Sequence, residues 1–83
     1  MTIDILYFAW VRERIGVPRE TLETNAATVA DLLAELSAKE ERYALAFSDL
    51  TALRVAIDQD LAEFDSPLSG AREVAVFPPM TGG

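Results

Sequence analysis

Thr2 to Phe8 (TIDILYF) is rich in β-branched and aromatic residues and largely apolar on both faces, which predicts a strand near the centre of a sheet. In Ala9 to Ile15, Val11 and Ile15 stand one helical turn apart. Gly16 and then Pro18 follow, so the pattern predicts a short helix that ends there. Glu20 to Thr24 reads as a second strand with Leu22 inward. Thr28 can cap the free N–H groups of a helix, with Asp31 three residues on, and Val29, Leu32, Leu33 and Leu36 form one apolar stripe at helical spacing. Asp31 and Glu35 take its wet side, and the charged stretch Lys39-Glu40-Glu41-Arg42 ends the pattern. Tyr43 to Phe47 (YALAF) is apolar but too short to classify by period. Leu53 to Ile57 (LRVAI) alternates, with Leu53, Val55 and Ile57 inward. Asp58-Gln59-Asp60 reads as a turn, Leu61 to Phe64 as a short strand, and Ser66-Pro67 and Ser69-Gly70 as loops. Glu73 to Phe77 (EVAVF) is the last strand. Pro78-Pro79 ends it, because neither proline can donate to a ladder.

This order predicts an α+β fold in which one main helix plus a short helix cover one face of a mixed sheet. The first and last strands are the most apolar and are expected side by side in its middle, an arrangement that describes a β-grasp domain. The length of 83 residues suits one domain, spanning 1–77. Residues 78–83 are expected to form a flexible C-terminal tail, projecting because consecutive prolines favour an extended chain.

Composition narrows the chemistry. The chain has no cysteine and no histidine. Disulfides, thiolate chemistry, imidazole acid–base work and thiolate or imidazole metal ligands are therefore missing, and no metal site is expected. The formal net charge of -7 argues against nucleic acid. It suits docking on a basic protein surface, or simply keeps a small protein soluble. The longest apolar run, Ile5 to Val11, falls well short of the roughly 20 residues a membrane span needs. Asp4 stands where a signal peptide would carry basic residues, so the expected location is the cytoplasm.

After Phe77 the chain reads Pro-Pro-Met-Thr-Gly-Gly. A Gly-Gly pair has no side chains and can thread a channel that a Cβ would block. Taken alone, the dipeptide is weak evidence of function. The ending EVAVFPPMTGG, the opening YFAWVRERIG and the middle segments ERYALAF and VAIDQDLAEFDSPL together resemble the small subunit of molybdopterin synthase, a ubiquitin-like sulfur carrier. The chain departs from that pattern at Ala71-Arg72, where the family commonly has an acidic residue after the loop glycine, and at Asp58, where asparagine is common. Both positions lie in turns away from the tail.

The resemblance implies a mechanism in which side-chain nucleophiles are not needed. An adenylating enzyme uses ATP to convert the carboxylate of Gly83 into an acyl-adenylate, and sulfur displaces AMP to leave a thiocarboxylate. The carrier then delivers sulfur to cyclic pyranopterin monophosphate in the large synthase subunit, within an expected heterotetramer, to build the molybdopterin dithiolene. The carrier itself would hold no cofactor stably. Gly83 and Gly82 would be the reacting end, and Pro78, Pro79, Met80 and Thr81 would line the inserted segment. Phe8, Leu61 and Phe77 would form an apolar docking patch, for which ordinary core packing is the competing reading. Arg12 would pair with a partner carboxylate, or is a solvated helix residue. Asp58 and Asp60 lack the rest of a calcium loop and read as a turn. Two alternatives stay open: a carrier for thiamine synthesis or tRNA thiolation, and a ubiquitin-like interaction domain with no chemistry at its tail.

Overall fold

The computed structural model describes residues 1–79. Five strands form one sheet: β1 (Thr2–Tyr7), β2 (Arg19–Glu23), β3 (Arg54–Ile57), β4 (Asp60–Ala62) and β5 (Glu73–Phe77). Their order is β2-β1-β5-β3-β4, and β1–β5 is the parallel pair in an otherwise antiparallel ladder. The two most apolar strands thus lie together inside the sheet, as their patterning predicts.

Burial alternates along β1 and β5, whereas in β3 both Val55 and Ala56 are buried. Ile3, Ile5 and Tyr7 of β1, Val74 and Val76 of β5 and Val55 of β3 face one layer. Helix α2 (Val29–Lys39) lies over it and contributes Val29, Leu32, Leu33 and Leu36 to the core. Its N-terminus is fixed as its sequence suggests, with Asp31 N–H donating to Thr28 Oγ1 at 3.2 Å. Leu68, in the loop before β5, is fully buried beside them and donates its N–H to Ala27 O at 2.9 Å.

Helix α1 (Ala9–Ile15) has the predicted bounds. Gly16 closes it at φ 97, a left-handed position that costs glycine little, and returns its N–H to Arg12 O at 2.8 Å. The unclassified YALAF segment belongs to a third helix, α3 (Glu41–Ala46), so the fold has three helices where two were expected. Its short apolar run left the period ambiguous. Contacts distant in sequence decide it, since Tyr43, Ala46 and Phe47 all enter the core.

Two strand boundaries also differ from expectation. β2 starts at Arg19, which pairs with Leu6, and ends before Thr24. Thr24 turns its hydroxyl to Glu35 (3.0 Å) and accepts the N–H of Ala26 (3.0 Å), which bends the chain away. β4 spans 60–62 rather than 61–64. Asp58 and Gln59, both at positive φ (50 and 74), make a tight two-residue turn that starts pairing at Asp60. Glu63 N–H then leaves the ladder to meet Ser66 Oγ at 3.0 Å. Among the described residues, no helix is long and apolar enough to cross a membrane.

A candidate docking face at the root of the tail

The sheet face opposite α2 is built by the other half of the alternation. In register across four strands, Leu61 lies opposite Ala56, Ala56 opposite Ala75, and Ala75 beside Leu6. One row nearer the tail, Arg54 lies opposite Phe77. Directly opposed residues share a face, so these side chains form one apolar band ending at Arg54 and Phe77. Beyond the band, toward the far end of the sheet, the same face carries Asp4 beside Glu73 and Glu23 opposite Thr2. The face is thus apolar near the tail and charged away from it, where Arg19, opposite Leu6, pairs with Asp4 at 3.2 Å and the N-terminal ammonium lies 3.9 Å from Glu23.

Phe8 follows β1 and alternates outward from buried Tyr7. Its N–H extends the parallel ladder to Val76 O at 3.2 Å, and its side chain is 45 % exposed. Ala9 then takes φ 52, a left-handed conformation unusual for a residue with a Cβ, and turns the chain from strand into helix in one step. Phe8, Ala9, Ala75, Phe77, Pro78 and Pro79 enclose a shallow apolar hollow of about 460 Å³. Leu61 stands on the same face and is 80 % exposed. An apolar surface left open in this way has the character of a binding site rather than of a core.

Of the residues singled out from sequence, the structure brings Phe8, Phe77, Pro78 and Pro79 around one hollow, with Leu61 on the same sheet face two strands away. Arg12 is exposed on α1 one turn on from Phe8, whose carbonyl accepts its N–H at 3.4 Å, and makes no ion pair among the described residues. Met80, Thr81, Gly82 and Gly83 lie outside the described residues. Sequence reasoning missed Ala9, Ala75 and Arg54. The signal for the last two was present: alternation in EVAVF puts Ala75 on the face of Phe77, and alternation in LRVAI puts Arg54 and Ala56 outward. Asp58, departing from the family's asparagine, still serves the turn, because its Oδ1 accepts the N–H groups of Arg72 and Glu73, both at 3.0 Å.

A polar network supports the hollow from behind. Tyr7 OH and Tyr43 OH both donate to Glu20 Oε2, at 2.8 and 2.5 Å. Arg42 donates to Tyr43 OH at 3.1 Å and to Ile15 O, the C-terminal carbonyl of α1, at 2.6 Å. This ties β1, β2, α1 and α3 together at the end of the sheet where Phe8 leaves it. Burial first, and then the hydrogen bond to Glu20, pushes the Tyr43 hydroxyl up to about 12 and raises that of Tyr7 further.

The sequence pattern of the ThiS family matches residues 5–83, from the first strand through Gly83. The chain belongs to the ThiS family. This ThiS-family chain is 42 % identical over 81 residues to the molybdopterin synthase sulfur carrier subunit of Escherichia coli (strain K12), covering 98 % of this chain and 99 % of that one. Its fold is similar to that of SAMP1 from Haloferax volcanii, with a TM-score of 0.78, 24 % identity and full coverage of both chains. It is also similar to a chain from the complex of subunits 1 and 2 of the molybdopterin-converting factor from Helicobacter pylori 26695, with a TM-score of 0.66, 21 % identity and full coverage of both. The β-grasp architecture and the resemblance to the small synthase subunit, read from the sequence, both agree with these relatives.

Proposed function

We propose that this chain is the sulfur carrier of molybdopterin synthesis and that its reacting group is the carboxylate of Gly83. One observation carries the reading: the match to a named sulfur carrier subunit extends over nearly the whole of both chains. The family pattern itself runs through Gly82 and Gly83. Composition supports it, because a chain without Cys or His has little to offer as a side-chain catalyst.

The chemistry proceeds in two displacements. A Gly83 carboxylate oxygen attacks the α-phosphorus of ATP on an adenylating enzyme, and pyrophosphate leaves. A sulfur nucleophile then attacks the acyl carbon, and AMP leaves with the bonding electron pair. With sulfide as the nucleophile Gly83 ends directly in a thiocarboxylate; with a persulfide, a second thiol attacks the donor sulfur of the acyl disulfide, forms a disulfide with the donor and expels the thiocarboxylate. The thiocarboxylate is ionised at neutral pH, so its sulfur can attack cyclic pyranopterin monophosphate in the large synthase subunit; water then cleaves the acyl–sulfur bond, returning Gly83 to the carboxylate and leaving the sulfur on the pterin, and two such deliveries form the dithiolene. This division leaves ATP binding and acid–base work to the partners.

The carrier's own residues dock and aim. Phe8, Leu61 and Phe77 give the apolar contact, Pro78 and Pro79 direct the chain outward from β5, and Met80 and Thr81 line the segment that enters the partner. Gly82 keeps the last step narrow. Arg12 supplies a charged contact at the margin. The large subunit is the partner in a heterotetramer, and the protein works in the cytoplasm.

The adenylation step is tested by ATP–pyrophosphate exchange. Label should return to ATP only when the adenylating enzyme, ATP and this chain are all present. Exchange that does not depend on the chain counts against the proposal. Dithiolene formation with the large subunit separates this pathway from thiamine synthesis or tRNA thiolation. An interaction domain with no tail chemistry would fail both assays.

A further inference from the structure

We propose that Arg54 is a specificity-determining contact of the docking face, taking a carboxylate of the partner protein beside the opening that receives the tail. The inference rests on the carrier reading and adds a charged, orienting element to its apolar patch.

The position follows from register. Arg54 opens β3 and lies directly opposite Phe77, the last residue of β5 before Pro78 and Pro79. A residue opposite Phe77 shares its face, so the guanidinium stands at the root of the tail and continues the band of Leu61, Ala56, Ala75 and Leu6. A protein covering that apolar band and admitting the tail would come within reach of Arg54.

Its hydrogen bonding leaves the charge available. Arg54 Nη1 donates to Leu53 O at 2.8 Å and reaches Thr51 O at 3.5 Å. These bonds hold one edge of the group against its own backbone. Nε and Nη2 have no hydrogen-bond partner among the described residues, and no described carboxylate lies within ion-pair distance of Arg54. Glu63 lines the same shallow concavity, with Leu61 and Phe64, but forms no pair with it. Arg19 is engaged with Asp4 at 3.2 Å, Arg42 with Glu40 at 3.2 Å, and Arg14 lies over the Trp10 ring at 5.2 Å; Arg12 and Arg72 also have no ion pair among the described residues, but neither lies in register with Phe77 as Arg54 does.

Charge on the rest of the face gives this cation a direction. Asp4, Glu73 and Glu23 occupy its far end, where Asp4 is paired with Arg19 and Glu23 lies 3.9 Å from the N-terminal ammonium, so that Glu73 keeps a carboxylate with no ion pair among the described residues; Arg54 stands at the tail end. A partner with a carboxylate beside the tail opening is attracted in the orientation that threads the tail. In the reversed orientation that carboxylate would meet Glu73 in place of a free guanidinium. Guanidinium suits the role, because its free edge can bind a carboxylate through two parallel N–H donors.

The test uses the full chain and the purified large synthase subunit, with Kd measured by calorimetry from low to high salt. Arg54→Glu should raise Kd about tenfold or more at low ionic strength, with the gap narrowing as salt screens the pair. Arg54→Gln should show a smaller loss and Arg54→Lys should recover part of it. Arg72→Glu makes the same charge change before β5, at the far end of the sheet, and should leave Kd within about twofold if the effect is local. Circular dichroism and the urea midpoint establish that each variant folds. Arg54→Glu binding like the original chain at low salt overturns the inference while leaving the carrier reading in place. An equal loss from Arg72→Glu also overturns it, by making net charge the cause. Failure of the original chain itself to bind the large subunit would remove both.

Discussion

Tyr43 and Tyr7 donate their hydroxyls to the same oxygen, Glu20 Oε2, at 2.5 and 2.8 Å. The three residues come from α3, β1 and β2. The shared acceptor therefore fixes the third helix to the sheet directly behind Phe8. Tyr43→Phe deletes one donor to a carboxylate and one acceptor for Arg42, and should cost about 1–3 kcal/mol, read as a fall in the urea midpoint. A midpoint unchanged by this substitution would show that the network does not hold the fold.

The same pair gives the protein an alkaline limit. An unfolded tyrosine ionises near pH 10, whereas burial and the bond to Glu20 raise the native Tyr43 to about 12 and Tyr7 further. Above about pH 10 the native state binds more protons than the unfolded state, so stability falls as pH rises. Below that pH these two groups contribute no slope. Urea midpoints should be level from about pH 8 to 9.5 and decline beyond about pH 10, less steeply in Tyr43→Phe. A flat profile to about pH 11.5 would contradict the assignment.

Ala9 holds a left-handed backbone at φ 52, where a Cβ costs about 1–2 kcal/mol. Ala9→Gly should keep the midpoint or raise it slightly, since relief of strain offsets the added freedom of the unfolded chain. Ala9→Val should lower stability by about 1–3 kcal/mol, because a β-branched residue fits that region least. Equal midpoints for the two variants would refute the role given to this turn.

Leu61 separates binding from folding. Its side chain is 80 % exposed, so Leu61→Ala should change stability by less than about 0.5 kcal/mol. Binding to the large subunit should weaken by about tenfold or more if Leu61 is an anchor of the apolar band. The two numbers come from a denaturation curve and a titration of the same preparation.

Periodicity carried most of the fold in the sequence. Val29, Leu32, Leu33 and Leu36 marked α2, and Gly16 with Pro18 marked the end of α1. What stayed hidden was decided by contacts distant in sequence. Six residues of α3 are too few for a period, and the burial of Tyr43, Ala46 and Phe47 with the junction of Tyr43, Glu20 and Tyr7 fixes them in place. The docking face was half legible. Phe8, Phe77 and Leu61 came from the resemblance to the small synthase subunit, with core packing as the competing reading, and the exposure of Phe8 and Leu61 is a finding of the structure. Ala75 and Arg54 needed strand register before they could be placed beside Phe77. Ala9 carried no chemical signal, because its left-handed conformation is not a property of alanine.

Thiocarboxylation of Gly83 is tested by intact mass. The full chain is incubated with the adenylating enzyme, ATP and a sulfur source, and its mass is compared with that of the untreated chain. The account predicts a gain equal to the replacement of one oxygen by sulfur, located by fragmentation at Gly83. An unchanged mass, or a sulfur found elsewhere in the chain, would contradict it.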